Sequence, residues 1–333
     1  MPDTFRLPGL PYLALFLLLL SAAPSYAFNV YEGGKLKVQS NLIMGMDYRY
    51  QADYFPGRSG FRITDARFNT EARYLDKLRL TLKLDFADLT EEEINVLKTA
   101  QMEYRFSDPL RLSGGYGKIP FGQEYSRGLT SRPNIYHSEA SALIAPGRSV
   151  GLNLSGKRIL GHFCYDAGFY NGTTDRWDKN ESGLHMGAAN LYYQKGSFKG
   201  GYNLLYSLDE TFAQGVYVDL NHQINKKLTL KVFSEYMEQR YFNYHWNHSV
   251  FTLFALRINS IEPLLYFDYY NDNVGYDGEE DKLIPGIGFN AYFLKDKVQL
   301  KTDLRTEYLY STPTFHNQKF YNSKLTVKLV VSL

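Results

Sequence analysis

Residues 78–86 read LRLTLKLDF. Leu78, Leu80, Leu82, Leu84 and Phe86 fall on one side of an extended chain, and Arg79, Thr81, Lys83 and Asp85 on the other. A period of two marks a strand with one apolar face. The opposite face is not merely hydrophilic but charged. The same alternation returns in VQLKTDLRTEYLY (298–310), where Val298, Leu300 and Leu304 oppose Lys301, Asp303, Arg305 and Glu307. It returns again in KLTVKLVVSL at 324–333.

A soluble sandwich also alternates. Three features point elsewhere. The charged face recurs along the whole chain. Aromatics gather near strand ends, as at Tyr48/Tyr50, Tyr269/Tyr270 and Tyr308/Tyr310. Connections alternate in length: LDK (75–77), SDP (107–109), GKR (156–158), QKGS (194–197), NKK (225–227) and KDK (295–297) are short. Between them lie longer polar stretches such as QADYFPGRSG (51–60), TTDRWDKNES (173–182), RYFNYHWN (240–247) and DNVGYDGEEDK (272–282). Short turns on one rim, long loops on the other and aromatic girdles between them describe an all-β fold, a transmembrane antiparallel β-barrel.

The period predicts strands near 35–50, 61–74, 78–88, 96–106, 110–118, 148–156, 159–170, 183–194, 197–207, 213–223, 228–239, 249–259, 262–271, 283–294, 298–310 and 320–333. That makes sixteen, with fourteen or eighteen as the alternatives if a boundary slips. A barrel of about eight strands is filled by its own side chains, whereas sixteen to eighteen leave an aqueous channel.

The N-terminus sets the compartment. Arg6 and a polar lead precede the apolar run LPYLALFLLLL (10–20) and then SAAPSYA (21–27), with Ser25 and Ala27 at the small positions of a cleavage site. This is the layout of a signal peptide over 1–27, with 28–333 as the barrel domain; an uncleaved anchor is the alternative. The run is shorter than the ~20 residues of a spanning helix. An exported barrel reaches the outer membrane of a Gram-negative cell. The chain carries 29 Tyr and 22 Phe at a net charge of +2, and its mean hydropathy is −0.36. That balance gives no reason to invoke nucleic acid. A single cysteine, Cys164, excludes a disulfide framework, a Cys-based zinc site and haem attachment within one chain.

The longest stretch without sustained alternation is 119–147. In a wide barrel such a segment folds into the lumen and narrows it. Gly114, Gly115 and Gly117 just before it leave the wall bare and let backbone approach closely. Pro120 removes a ladder donor and ends the strand.

GKIPFGQEY (117–125), followed by APGRSVGLNLSGK (145–157) and YDAGFYNG (165–172), resembles the phosphate-selective porin O and P family. RITDARFNTEARYLDKLRLTLKLDFAD (62–88) fits the same likeness. The resemblance covers about residues 60–172 and implies a sixteen-stranded outer-membrane channel, commonly trimeric, with its third external loop inside the pore. The chain departs from that pattern at HSEAS (137–141), where many relatives carry a Glu-Arg pair.

Alternation assigns an inward set. The basic members are Arg67, Arg73, Arg79, Lys83, Arg105, Arg111, Lys231, Lys301, Arg305, Lys324 and Lys328. The acidic members are Asp65, Glu71, Asp85, Glu103, Asp166, Asp219, Glu235, Asp268, Asp303 and Glu307. The lumen as a whole is thus nearly balanced. Asp65/Arg67, Glu71/Arg73 and Glu103/Arg105 are spaced to pair along one face. The constriction segment is less balanced. It holds Lys118, Arg127, Arg132 and Arg148 against Glu124 and Glu139, with His137 between them. These six charged residues are the candidate solute-binding constriction. Arg67, Arg73, Arg79, Lys83, Arg105 and Arg111 are the candidate lumen wall. A net positive constriction implies a modest anion preference.

Motifs that suggest chemistry lack their context. GRSVG (147–151) matches a nucleophile elbow around Ser149, but a loop enters a strand there instead of a strand entering a helix. GLNLSGKR (151–158) lacks the hydroxyl after Lys157 that a phosphate loop needs. His245 and His248 form H-x-x-H on an expected external loop, without the helix that would aim both at one metal. The acidic stretch 272–281 lacks EF-hand spacing. Asn171 and Asn180 sit in sequons that a bacterial setting makes incidental.

The expected function is passive diffusion of small hydrophilic or anionic solutes, without catalysis and without a cofactor or metal. Homotrimerisation and contact with outer-membrane lipid and lipopolysaccharide are the expected associations. The alternatives are a barrel serving as scaffold or sheath for a partner protein, and a barrel hydrolase. The second fails on its scattered histidines.

Overall fold

The computed structural model describes residues 28–52, 60–87, 96–172, 185–208, 211–241, 245–272, 280–311 and 320–332. The expected signal segment 1–27 lies outside them, as do both Asn180 and most of the acidic stretch 272–281.

Seventeen strands run along the described chain: β1 (Phe28–Gly33), β2 (Leu36–Ala52), β3 (Gly60–Tyr74), β4 (Leu78–Asp85), β5 (Leu97–Ser107), β6 (Leu110–Lys118), β7 (Arg148–Ile159), β8 (Phe163–Tyr170) and β9 (Met186–Lys195). The second half comprises β10 (Phe198–Ser207), β11 (Phe212–Asn225), β12 (Leu228–Tyr241), β13 (His245–Ile258), β14 (Ile261–Asp272), β15 (Glu280–Phe293), β16 (Val298–Ser311) and β17 (Phe320–Ser332). From β2 onward each strand pairs antiparallel with the next, and β17 pairs back onto β2. The sixteen strands β2–β17 therefore close a barrel, as the alternation predicts. Closure leaves no open edge.

The added element is β1. It pairs Phe28–Gly33 with Ser40–Leu36 of β2, while β17 pairs with Ile43–Ala52 of the same strand. β1 thus continues the edge of β2 where β17 stops. Six residues ending in Gly33 are too few for a period of two to stand out. His245 and His248 are also placed differently from the expectation: both lie within strand β13, not in a loop.

Burial is inverted relative to a water-soluble protein. Leu152 and Ile63 are 63% and 61% exposed, whereas Lys301 and Glu262 are fully buried. Met102, Phe169, Leu191, Val216, Phe254, Leu265 and Ile287 continue the apolar outer face. So large a contiguous apolar surface is stable only against another apolar phase, here the hydrocarbon of a bilayer. The charged faces that the sequence repeats point inward, where they meet water, one another or the long loop.

Candidate pore constriction

The loop 119–147 leaves the wall at the top of β6 and returns at the top of β7, where Lys118 and Arg148 are register partners. Gly115 makes the approach possible. Its φ of +122° suits glycine, and a Cβ there would meet the Ala100 carbonyl oxygen at 2.2 Å. Gly114 and Gly117 are under less pressure, with nearest atoms at 3.0 and 3.7 Å, both of side chains. Beyond Pro120 the chain forms two short helical turns, α1 (Gln123–Ser126) and α2 (Glu139–Leu143).

The loop lies inside the barrel on an apolar cluster. Ile119, Phe121 and Ile144 pack with Tyr170, Met186, Leu205, Ala213, Met237 and Tyr270 of the wall. Wall side chains then bind its backbone carbonyls. Asn290 Nδ2 donates to Pro133 O at 2.9 Å, and Gln299 Nε2 to Thr130 O at 3.2 Å. Lys301 Nζ donates to Leu129 O and Arg132 O at 3.0 and 2.5 Å. The Tyr136 hydroxyl meets Thr326 Oγ1 at 2.7 Å. These partners belong to β15, β16 and β17, so the loop crosses the lumen to the wall opposite its origin.

Between the loop and strands β2–β7 a cavity of about 560 Å³ remains. Seven cationic side chains line it: Arg67, Lys83, Lys98, Lys118, Arg127, Arg132 and Arg148. The single carboxylate among its lining residues is Asp85. Tyr125, His137, Thr64, Thr99, Ser126 and Thr130 add hydrogen-bonding groups.

The cations are not equivalent. Arg67 bridges Asp65 at 2.5 Å and Asp85 at 2.8 Å. Arg127 pairs with Asp219 at 2.6 Å and stacks over Phe233. Arg132 is buried, donates to the Asn134 and Ile135 carbonyls, and lies 3.9 Å from Glu124. Lys118 donates to the Tyr125 carbonyl at 2.5 Å, and Arg148 Nη1 reaches the Tyr125 hydroxyl at 3.5 Å. Among the described residues, Lys83, Lys118 and Arg148 form no ion pair with a carboxylate. Arg148 Nε is buried without a partner.

Both acidic members of the candidate constriction turn away from the cavity. Glu124 is 1% exposed and sits inside the loop, accepting from His137 Nδ1 at 3.0 Å and from Asn134 Nδ2 at 3.3 Å. Burial pushes its carboxyl up, but the His137 hydrogen bond and the Arg132 charge outweigh it and hold the group at about 2. Burial lowers the His137 imidazole below its ordinary value, the Arg132 and Lys118 charges add to that, and Glu124 only partly offsets them. Glu139 opens α2 and faces Lys282 at 3.7 Å. The sequence count of four cations against two acids therefore understates the positive charge presented to the cavity.

The candidate wall residues divide. Arg67 and Lys83 reach the cavity; Arg73, Arg79, Arg105 and Arg111 lie toward the short-turn rim in charge ladders. Arg73 pairs with Glu71 as its spacing predicts. Glu103 instead takes Arg79 across the strand pair at 2.8 Å, leaving Arg105 and Arg111 to Asp108. The expected Glu103/Arg105 pair is thus replaced, because directly opposed positions on neighbouring strands are closer than positions two apart on one strand. Lys98, Tyr125 and Tyr136 escaped sequence reasoning. Tyr136 lies under Arg305, Arg49 and Lys324, at 4.3, 5.4 and 5.7 Å from its ring centre. Such a cluster joins β2, β16, β17 and the loop, and no local pattern announces it.

The nucleophile-elbow match at Ser149 lacks its strand-to-helix context in the structure as well. Ser149 is buried in β7, and its hydroxyl makes only a long contact to the Val150 carbonyl. No group of three or more His, Cys, Asp or Glu able to hold a metal occurs among the described residues.

The model of the phosphate-selective porin O and P family matches residues 37–194. No curated protein matches. Among solved structures, the anion-selective porin of Comamonas acidovorans is similar at a TM-score of 0.63 and 12% identity, covering 90% of this chain and 100% of that one. OmpT of Vibrio cholerae in its trimer form follows at 0.62 and 10%, with 90% and 100% covered. The outer-membrane channel DcaP of Acinetobacter baumannii gives 0.60 and 11%, with 93% and 100% covered. Identities this low speak for the fold alone. Residues 37–194 are thus similar to the phosphate-selective porin O and P family, and over its described length the chain has the sixteen-stranded barrel fold seen in outer-membrane porins.

Proposed function

We propose that this chain is a passive diffusion channel that favours small hydrophilic anions. The carrying observation is the cavity between the loop and β2–β7, lined by seven cationic side chains and one carboxylate. Three of those cations, Lys83, Lys118 and Arg148, have no described carboxylate partner. Cations held by a rigid wall without counter-charge attract an anion and cost little to reorganise when it passes. Cavity and loop together form the lane through which solutes cross.

Export by a signal peptide at 1–27 and assembly of 28–333 as a homotrimer complete the proposal. The apolar N-terminal run supports the first. The trimer form of OmpT, which shares the fold, supports the second. The outward apolar belt implies contact with outer-membrane lipid.

The test uses charge reversal. In planar bilayers under a KCl gradient, the double variant Lys83→Glu/Lys118→Glu should shift the zero-current potential toward cation selectivity. An unchanged potential with conductance retained would remove the lane from the permeation path.

A further inference from the structure

We propose that the wall carboxylate of Glu235, seconded by Asp268, is the latch that positions the constriction loop and so fixes the width of the lane. The inference rests on the reading of that lane as the permeation path. The loop begins and ends on adjacent strands, with Lys118 opposite Arg148. Connectivity therefore does not send it across the lumen; contacts must.

The contacts to its carbonyls come from amide and amine donors, as described above. Its free N–H groups are the other half of the problem. The first turns of α1 and α2 leave amide donors without partners inside the helix. Gly122, the residue that precedes α1, has no side chain to accept them. Glu235 on β12 does so from the wall. Its Oε1 accepts from Gln123 N at 2.6 Å and its Oε2 from Glu124 N at 2.9 Å. Asp268 on β14 repeats the device, accepting from Glu139 N at 2.7 Å with Oδ2.

Glu235 differs from its buried neighbours. Glu262 pairs with Lys231 at 2.5 Å and Asp65 with Lys328 at 2.7 Å, both within the wall. Glu235 forms no ion pair with a described residue. Besides the two loop amides its carboxylate takes only Asn203 Nδ2, at 3.4 Å. A fully buried acid without a cationic partner is costly to keep, and what it contacts is the loop. The consequence reaches the lane through α1. Tyr125 of that turn holds Lys118 by its carbonyl and faces Arg148 by its hydroxyl. Releasing the start of α1 therefore moves two of the three unpaired cations.

Glu235→Gln keeps the shape but turns an amide N–H₂ toward a loop N–H; Glu235→Asp keeps the carboxylate. The folded protein is exposed to trypsin, with cleavage after Arg127 followed by mass spectrometry, and single-channel conductance is recorded in parallel. Glu235→Gln should be cut roughly tenfold faster than wild type, the factor expected when a charge-assisted hydrogen bond is lost, and should conduct more. Glu235→Asp should stay closer to wild type. Asp303→Asn, which removes a buried wall carboxylate held by Tyr266 and not by the loop, should be cut at the wild-type rate. Equal cutting of Glu235→Gln and wild type would overturn the proposal. If no variant folds, hydrogen exchange on the wild type decides: amides of Gln123 and Glu124 exchanging like exposed ones would overturn it. Trypsin and exchange do not depend on conduction, so a silent channel would sink the reading of the lane while leaving the latch tested.

Discussion

Lys118 and Lys83 carry the same charge in the cavity but are held differently, and that separates their expected effects. Lys83 makes no described hydrogen bond, so Lys83→Met removes a charge and little else. It should reduce the permeability to anions by about fivefold at most, the effect of the ~1 kcal/mol that a unit charge exerts at 4 Å in water. Lys118→Met also frees the Tyr125 carbonyl and should broaden the distribution of conductance levels in single-channel records, which Lys83→Met should not. His137 supplies the pH dependence. Its imidazole is held below its ordinary value of 6.5, so it is neutral at pH 7 and gains a positive charge only as pH falls below that lowered value. Glu124, at about 2, stays ionised throughout that range. Anion preference should therefore rise as pH falls below neutrality, and His137→Asn should lessen the rise in reversal potentials recorded from pH 7 downward. At this scale the sequence was only partly legible. Lys118, Arg127, Arg132 and Arg148 reach the cavity because they flank or occupy one segment. Glu124 and Glu139 do not, because a carboxylate's direction inside a folded loop depends on partners that the chain order does not show.

The loop is the element that turns a wide barrel into a narrow one. Its bounds, 119–147, were readable because strand alternation stops at one end and resumes at the other. Its destination was not, since Glu235, Asp268, Asn290, Lys301 and Thr326 lie a hundred or more residues downstream. Much of its attachment is apolar. Phe121 is 1% exposed among Ile119, Ile144, Met186 and Met237. Phe121→Ala should loosen the loop by about 3 kcal/mol, within the usual cost of emptying a buried aromatic site. Hydrogen exchange should report this as faster exchange at loop amides with the strand amides of β2–β17 unchanged. Uniform acceleration in both would show that the loop and the barrel open as one unit. Within the wall, Gly115 shows how an element can depend on one atom: its added Cβ would strike the Ala100 carbonyl oxygen at 2.2 Å, whereas the nearest atom to one at Gly114 belongs to the Leu152 side chain, at 3.0 Å.

For the molecule as a whole, the period of two determined most of what matters. Sixteen strands, inward charge and outward apolar side chains all follow from it, and strand number then sets the bore. What the period could not resolve was how inward charge is spent. The sequence gives eleven inward cations against ten acids, a near balance, yet the structure sorts them. On the short-turn rim Arg73, Arg79, Arg105 and Arg111 are consumed in ion pairs. Toward the opposite wall Lys301 and Lys328 are buried against the loop and Asp65. Free positive charge remains on the lane beside β2–β7 and, across the loop, at Tyr136, where Arg49, Arg305 and Lys324 gather without an ion pair to a described carboxylate. Selectivity is thus a property of this sorting and not of net charge, which for the chain is only +2. The most direct measurement is the zero-current potential of the purified wild-type protein in a planar bilayer separating two KCl concentrations at neutral pH. The account predicts the sign of a chloride-preferring channel; a potential of the sign set by potassium would contradict it.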